Sequence, residues 1–135
     1  MKTQARVVVI GGGAIGVSVA YHLAKYGWQD VVLVEKHELT SGSTWMAAGN
    51  CSFFHGNYYC TQVNMKSIEI YQGLEPETGQ DVGWHTTGSI RTADNPGRME
   101  ELGYIYSMNR CLGLNVDWIE PSKMAEMHPL LNTEG

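Results

Sequence analysis

The sequence predicts an α/β fold that opens with the strand–helix–strand unit of a doubly wound parallel sheet. Two short apolar runs rich in valine, residues 6–10 and 30–34, are typical of parallel strands covered on both faces. Between them, apolar residues recur every three to four positions, as on one face of a helix. A triple glycine separates the first run from this helix. These features fit within about 30 residues, the length of a βαβ unit, whose crossover is right-handed.

The helix of this unit is expected to start at Ala14 and to end at Gly27. Ile15, Val19 and Leu23 mark its apolar face. Glycine readily takes the left-handed conformation that ends many helices, so Gly27 is a suitable stop. The second strand then leads directly into Glu35.

The next part of the chain is expected to mix helices with short strands. Residues 39–60 lack a clear period and are predicted to form a loop with a short helix. A longer helix follows and is expected to stop before Pro76, because the residue before a proline disfavours helical backbone. One face of that helix carries Val63, Ser67, Tyr71 and Leu74. Residues 82–93 predict a hairpin that turns at Gly88.

A further helix is expected after Asn95, which is a good helix cap, with Pro96 as its first residue. One face of this helix, which runs up to Gly113, carries Met99, Leu102, Tyr106 and Asn109. Residues 116–119 predict another strand, and residues 121–128 predict a short helix closed by Pro129.

The composition is that of a globular protein and argues against two classes of function. The 135 residues are 43% hydrophobic and 17% charged, and their formal net charge is −5. Without net positive charge or a basic run, electrostatic binding to nucleic acid or to an anionic membrane is not expected. The apolar runs are far shorter than the ~20 residues of a membrane span. The three cysteines lack metal-ligand spacing, so reduced thiols in the cytoplasm or an organelle matrix are expected, and no metal.

Gly11, Gly13 and Gly16 form a G-x-G-x-x-G fingerprint between the first strand and the helix. In Rossmann-like folds these glycines permit a tight turn, let a pyrophosphate approach the backbone, and let the helix pack closely on the sheet. Free N–H groups at the helix start then face the phosphates. Glu35 follows the second strand, where a carboxylate accepts hydrogen bonds from ribose hydroxyls and repels a 2′-phosphate. The pattern predicts a site for FAD or NAD and disfavours NADP.

Residues 39–50 favour FAD, because small residues and hydroxyls at this density suit a second approach of backbone to an extended cofactor. Ser43 and Thr44 can supply donors to the pyrophosphate. Ala47, Ala48 and Gly49 leave room for a flat ring. A loop that only packs small residues, or an NAD-binding dehydrogenase or regulatory Rossmann module, remains the alternative.

Several stretches resemble the FAD-dependent D-amino-acid-oxidase and glycine-oxidase-like superfamily, and within it the dimethylglycine and sarcosine dehydrogenase branch. They are VVVIGGGAIGVSVAYHLAKYG, VVLVEK, LTSGSTWMAAGN, GWHTTGSIRTA and MHPLLNTEG, which together cover nearly the whole chain. The resemblance implies a Rossmann-like FAD-binding portion at residues 1–81 and the start of an α+β substrate domain at residues 82–135. The rest of both domains is expected to lie beyond residue 135.

The resemblance also implies FAD contacts at the helix start, at the ribose, and along the pyrophosphate and flavin. With the fingerprint glycines, the expected cofactor-binding residues are Gly11, Gly13, Ala14, Ile15, Gly16, Glu35, Lys36, Gly42, Ser43, Thr44, Trp45, Met46, Ala47, Ala48, Gly49 and Asn50. One position departs from the pattern. In covalent members of the branch, the residue after the tryptophan is a histidine bonded to the flavin 8α-methyl carbon, and here it is Met46. A thioether has no ring nitrogen for that bond, so noncovalent FAD is expected.

The activity implied by the resemblance is oxidation of a C–N bond in an N-methylated amino acid or amine, such as dimethylglycine or sarcosine. Hydride passes to the flavin, the iminium is hydrolysed with release of formaldehyde, and oxygen or a carrier protein takes the electrons. His85 and Arg91 are candidate substrate-binding residues, since an arginine can bind a carboxylate bidentately. No residue qualifies as the catalytic base. The alternative is an FAD-binding subunit or fragment that acts only with a partner chain or the remainder of the polypeptide.

Overall fold

The computed structural model describes residues 3–133, and the chain divides into two units, Met1–Asn50 and Cys51–Gly135. The first unit contains β1 (Val7–Ile10), α1 (Ala14–Lys25) and β2 (Val31–Val34). The second contains α2 (Tyr58–Thr78), α3 (Pro96–Cys111) and α4 (Pro121–Met127). No helix within residues 3–133 is long and apolar enough to cross a bilayer.

The first unit is the predicted βαβ unit. Strands β1 and β2 pair in parallel, from Val7 opposite Val31 to Ile10 opposite Val34, and α1 contacts both strands. The helix ends as expected, because Gly27 has a φ of +77° and donates its N–H to the Ala24 carbonyl at 2.9 Å. The α/β, Rossmann-like start is therefore confirmed.

Within residues 3–133, helix α1 covers one face of the strand pair. Val9 is buried at 9% exposure, whereas Val8, Ile10 and Val34 are 52%, 86% and 48% exposed. Helix α1 lies on the side of the pair that Val9 faces, since a side chain at Gly16 would lie 3.5 Å from Val9 Cγ1. Alternate residues of a strand point to opposite faces, so the residues next to Val9 face away from the helix.

Helix α2 is longer at both ends than the sequence predicts. It begins at Tyr58, where the Asn57 side chain accepts the Cys60 N–H at 3.0 Å as an N-cap. The predicted stop before Pro76 is wrong, because Pro76 lies inside the last turn of the helix. A proline removes its own N–H bond and its ring crowds the carbonyl four residues earlier, yet the helix continues through Pro76 to Thr78. The end is closed three residues later by Gly79, which has a φ of +73° and donates to the Glu75 carbonyl at 2.8 Å.

Helix α3 confirms the predicted cap at Asn95, whose side chain accepts the Arg98 N–H at 2.9 Å. Its buried face is formed by Leu102, Ile105 and Asn109. Met99, which was expected on that face, is 46% exposed. Helix α4 matches the predicted short helix to within one residue.

Two predicted strand regions contain no strand in the structure. In residues 82–93 the Trp84 ring stacks on Tyr71 of α2, with ring centroids 6.0 Å apart and planes at 9°. In residues 116–119 the Trp118 ring meets Tyr106 of α3 edge-on at 5.8 Å. A strand needs a hydrogen-bonded neighbouring strand. These two segments instead pack against helices α2 and α3 through the rings of Trp84 and Trp118. The predicted hairpin at residues 82–93 and strand at residues 116–119 are therefore wrong.

Candidate cofactor site

The backbone of the loop after β1 lies unusually close to the backbone at the start of α1. Gly11 continues the sheet by donating its N–H to the Val34 carbonyl at 2.8 Å, and its φ of +105° favours glycine. A Cβ atom placed on Gly16 would lie 1.8 Å from the Gly11 carbonyl oxygen. The backbone of α1 thus approaches the loop at a distance that only a glycine at position 16 permits.

Glu35 is tied to this loop. Its Oε2 accepts the Gly12 N–H at 2.6 Å, and its Oε1 accepts the His37 N–H at 2.9 Å. These two backbone donors, Gly12 first, hold the pKa of the half-buried Glu35 carboxyl below its usual 4.5. Each carboxylate oxygen retains a second lone pair, so the group can still accept hydrogen bonds from a ribose.

Gly12 occupies a position at which the fingerprint allows any residue. Both of its backbone polar groups are hydrogen-bonded, the N–H to Glu35 and the carbonyl to Thr40. Its carbonyl accepts the Thr40 N–H at 2.9 Å, and Thr40 has a φ of +65°, which is unusual for a β-branched residue. A Cβ on Gly12 would lie 2.6 Å from Leu39 Cδ2 and 3.2 Å from Glu35 Cβ. Gly12 is not among the cofactor-binding residues predicted from the sequence, although the triple glycine is a signal for it.

Thr44 brings the loop after β2 to the first turn of α1. Its Oγ1 accepts the Ala14 N–H at 2.9 Å, and a Cβ on Gly13 would lie 3.0 Å from the same oxygen. Because this hydroxyl accepts from the backbone, its own hydrogen is available to donate. The position expected for a phosphate therefore has a hydroxyl donor beside the helix N-terminus.

An open groove of about 530 Å³ runs along the end of β1, the glycine loop and the first turn of α1. Seven of the expected cofactor-binding residues line it: Gly11, Gly13, Ala14, Ile15, Gly16, Ser43 and Thr44. The first turn of α1 contains no acidic residue, so the positive end of the helix dipole is not neutralised there. These features fit the pyrophosphate of a dinucleotide.

The other expected cofactor residues do not line this groove. Trp45 and Met46 are 68% and 70% exposed. Six more residues are also exposed: Lys36, Gly42, Ala47, Ala48, Gly49 and Asn50. Their contacts with FAD therefore stay predictions.

The two candidate substrate residues lie in the second unit. His85 is exposed, and the Arg91 guanidinium lies 3.5 Å from the Ser52 hydroxyl. Their role in substrate binding stays a prediction. Among residues 3–133, no group of three His, Cys, Asp or Glu side chains could hold a metal ion.

A parallel βαβ unit, a glycine loop that admits no side chain at position 16, and a carboxylate after the second strand define a dinucleotide-binding class of protein. The family model of DAO, the FAD dependent oxidoreductases, matches residues 6–135. The chain belongs to this family. This assignment confirms the resemblance drawn from the sequence and favours FAD over the NAD alternative.

Within that family the chain is similar to human mitochondrial dimethylglycine dehydrogenase, with 50% identity over 131 residues, 97% of this chain and 15% of that protein. It is 43% identical over 132 residues to the mitochondrial pyruvate dehydrogenase phosphatase regulatory subunit of Mus musculus, covering 98% of this chain and 15% of that one. The crystal structure of L-proline dehydrogenase from P. horikoshii matches with a TM-score of 0.88 and 25% identity, over 98% of this chain and 35% of that chain. The chain spans about 15% of the length of these two curated relatives.

Proposed function

We propose that this chain forms part of the FAD site of a flavoenzyme that oxidises the C–N bond of an N-methylated amino acid or amine. The groove at the start of α1 supports the position of the pyrophosphate, since the first turn of that helix and Thr44, whose hydroxyl accepts the Ala14 N–H, both line it. Glu35 supports the position of the ribose, because its carboxylate is held at the end of β2 beside the glycine loop. This juxtaposition is the observation that carries the proposal.

The chain's own contribution is to hold the cofactor in a defined place. Gly12, between its bonds to Glu35 and Thr40, keeps the phosphate loop in one conformation before the cofactor arrives. A loop ordered in advance loses less entropy on binding. When bound, FAD supplies the acceptor for a hydride from the methyl or methylene carbon of the amine.

The attachment of FAD is proposed to be noncovalent. Met46 occupies the position after Trp45 at which covalent members of the resembled branch carry a histidine. Its thioether has no nitrogen that could bond to the flavin methyl carbon. Acid precipitation of the purified protein should therefore leave the yellow flavin in the supernatant, and flavin retained in the washed pellet would contradict noncovalent binding.

The substrate class is supported by 50% identity to dimethylglycine dehydrogenase over nearly the whole chain. Loss of a hydride from an N-methyl group gives an iminium ion, and addition of water then releases formaldehyde and the demethylated amine. The electrons pass on to oxygen or to a carrier protein. The remainder of the polypeptide, or a partner subunit, completes the site for this amine.

Anaerobic bleaching of the flavin tests the activity. The complete polypeptide that contains this chain should lose the visible absorbance of its oxidised flavin when dimethylglycine or sarcosine is added, and formaldehyde should appear. Glycine, which lacks an N-methyl group, is the matched control. A yellow protein that no N-methyl amine bleaches would contradict the proposed activity.

A second candidate is an FAD-binding regulatory subunit without turnover of its own. It is favoured by the 43% identity to a phosphatase regulatory subunit. This candidate predicts bound flavin, no bleaching by any N-methyl amine, and co-purification with a partner chain. The bleaching experiment therefore separates the two candidates in one measurement.

The domain boundaries and the compartment are also part of the proposal. Residues 1–81 are assigned to the FAD-binding portion, and residues 82–135 to the start of the substrate domain. The two curated relatives are named as mitochondrial proteins, which supports the mitochondrial matrix if the host is a eukaryote and the cytoplasm otherwise.

A further inference from the structure

Thr40, in the loop after β2, has a left-handed backbone although its side chain is β-branched. Among residues 3–133, the non-glycine residues with a positive φ are Thr40, at +65°, and Asp30, at +63°. Aspartate is one of the residues that take this conformation most readily, whereas a β-branched residue rarely does. Such a conformation costs free energy and persists where the surrounding contacts fix it. Thr40 is exposed, and the contacts that fix it are made by its backbone.

Both backbone polar groups of Thr40 are hydrogen-bonded, and each joins Thr40 to a different part of the first unit. Its N–H donates to the Gly12 carbonyl of the glycine loop at 2.9 Å, and its carbonyl accepts the Trp45 N–H at 3.2 Å. The two backbone dihedrals of a residue set the relative directions of its N–H and its carbonyl. The left-handed backbone of Thr40 therefore lets one residue bind the glycine loop and the Trp45 amide together.

A second contact joins the same two segments of the chain. Thr44 Oγ1 accepts the Ala14 N–H at 2.9 Å. Residues 12–14 and residues 40–45 are thus connected at two points and form a closed ring of hydrogen bonds. Because the ring is closed, a change of backbone conformation at Thr40 displaces the Thr44 hydroxyl relative to the first turn of α1.

This ring borders the groove that is expected to hold the pyrophosphate. Ser43 and Thr44 line the groove on the side of the loop after β2, together with the glycine loop and the first turn of α1. Thr40 is not one of the described residues that line it. An effect of Thr40 on a bound phosphate must therefore pass through its hydrogen-bonded neighbours in the ring.

We propose that Thr40 is a positioning residue for FAD, which holds the Thr44 hydroxyl and the glycine loop in the arrangement that binds the pyrophosphate. It does so through its left-handed backbone, with one hydrogen bond to each segment. The identity of the ligand rests on the proposed function. Thr40 belongs neither to the glycine fingerprint nor to the FAD contacts predicted from the sequence.

A double-mutant cycle between Thr40 and Thr44 tests this role. The apoprotein of the complete polypeptide is titrated with FAD, and flavin fluorescence gives the Kd. Thr40→Pro cannot take a positive φ and has no N–H for Gly12, so its Kd for FAD is expected to rise at least about tenfold. If Thr40 acts through the Thr44 hydroxyl, the double variant with Thr44→Val should bind FAD at least about threefold more tightly than the product of the two single losses predicts.

Asp30→Pro is the matched control, because it replaces the other left-handed residue of the first unit. The Asp30 carbonyl accepts the Arg6 N–H at 3.1 Å, at the end of β1 opposite to the glycine loop. Asp30→Pro should lower the urea midpoint, but its effect on the Kd for FAD should be the same, within about twofold, whether position 44 is threonine or valine. A purely structural role of Thr40 would give the same additive result.

Thr40→Asn provides a second test if Thr40→Pro does not fold. Asparagine takes the left-handed conformation more readily than a β-branched residue and keeps the backbone N–H. The urea midpoint should therefore rise, and the Kd for FAD should fall about twofold or more because a loop ordered in advance loses less entropy. Ser41→Asn, at the adjacent exposed position, is the control and should raise neither stability nor affinity. A lower urea midpoint for Thr40→Asn, or an equal fall in Kd in the Thr44→Val background, would contradict the role of Thr40.

Two results of the cycle would overturn the inference: an unchanged Kd for FAD in Thr40→Pro, or losses for Thr40→Pro and Thr44→Val that multiply within about twofold in the double variant. Failure of the proposed activity is distinguishable. Flavin that binds with the expected coupling but is bleached by no N-methyl amine supports the positioning role and rejects the oxidation. A wild-type apoprotein that binds no FAD would reject both.

Discussion

Glu35 accepts the backbone N–H of Gly12 at 2.6 Å, so the carboxylate expected to hold the ribose also holds the loop expected to hold the phosphates. The two residues are 23 positions apart and belong to different ends of the βαβ unit. Because the same carboxylate holds the glycine loop and is expected to bind the ribose, a substitution of Glu35 should disturb both the glycine loop and the ribose contact.

Glu35→Gln should weaken FAD binding on the order of tenfold. The amide keeps one acceptor oxygen for two backbone donors, and its NH2 group then faces the N–H of Gly12 or of His37. Titration of the apoprotein with FAD, followed by flavin fluorescence, gives the Kd. Glu38→Gln, at a neighbouring exposed carboxylate, should leave the Kd within about twofold. Equal Kd values for the wild type and Glu35→Gln would contradict this dual role.

The stabilising effect of Glu35 should depend on pH in one direction. The backbone amides of Gly12 and His37 lower the folded-state pKa of Glu35 below 4.5. The contribution of Glu35 to the free energy of unfolding is therefore fully present above its unfolded-state pKa and is lost as the pH falls through its folded-state pKa. The difference in urea midpoint between the wild type and Glu35→Gln should be constant above about pH 5 and shrink on further acidification. A difference that grows with acid would contradict the assignment.

Gly16→Ala should destabilise the first unit and abolish FAD binding. The added Cβ would lie 1.8 Å from the Gly11 carbonyl oxygen, a backbone atom that can move only with the loop. Overpacking of this kind costs about 1–3 kcal/mol. Thermal unfolding measures the change. Gly73→Ala is the matched control, because nothing lies within 4 Å of a Cβ there, and alanine in a helix interior should stabilise by up to about 1 kcal/mol.

Thr44→Val should raise the Kd for FAD about three- to tenfold. Valine has nearly the same shape but cannot accept the Ala14 N–H or donate to a phosphate oxygen. Thr44→Ser retains the hydroxyl and should restore most of the affinity. If Thr44→Val and Thr44→Ser bind FAD equally well, the hydroxyl makes no contribution and only the shape of the side chain is used.

Met46→His tests the covalent pattern of the resembled branch. If the loop after β2 places position 46 at the flavin methyl carbon, the variant should retain flavin after acid precipitation, whereas the wild type releases it. The measurement is fluorescence of the washed pellet under ultraviolet light. Trp45→His is the control at the adjacent position and should release its flavin. Free flavin from both variants would mean that position 46 does not reach the ring edge.

Local signals in the sequence were sufficient for the first unit and for several helix ends. The switch from a strand-like run to a helical period, with the glycines between, predicted β1, α1 and β2 to within one residue at the strands. The caps at Gly27 and Asn95 were predictable because a left-handed glycine and an Asx side chain act on backbone groups only a few positions away.

Other features were not predictable because they depend on neighbours remote in the chain. The pattern of residues 82–93 suits a strand, but this segment pairs with no second strand among the described residues. Its Trp84 ring instead stacks on Tyr71 of helix α2. Pro76 suggested a helix stop, yet one missing N–H near the end of a 21-residue helix did not break it.

The βαβ unit of residues 6–34, the dinucleotide fingerprint and the carboxylate after the second strand could be predicted from the sequence alone, since each depends on residues adjacent along the chain. The hydrogen bonds of Gly12 to Glu35 and Thr40, and those of Thr61 and Asn109 to the carbonyl of His55, became visible only in the folded structure. Such contacts join residues up to 54 positions apart. They exist only when folding brings separate elements within hydrogen-bond distance, and no local pattern encodes that distance.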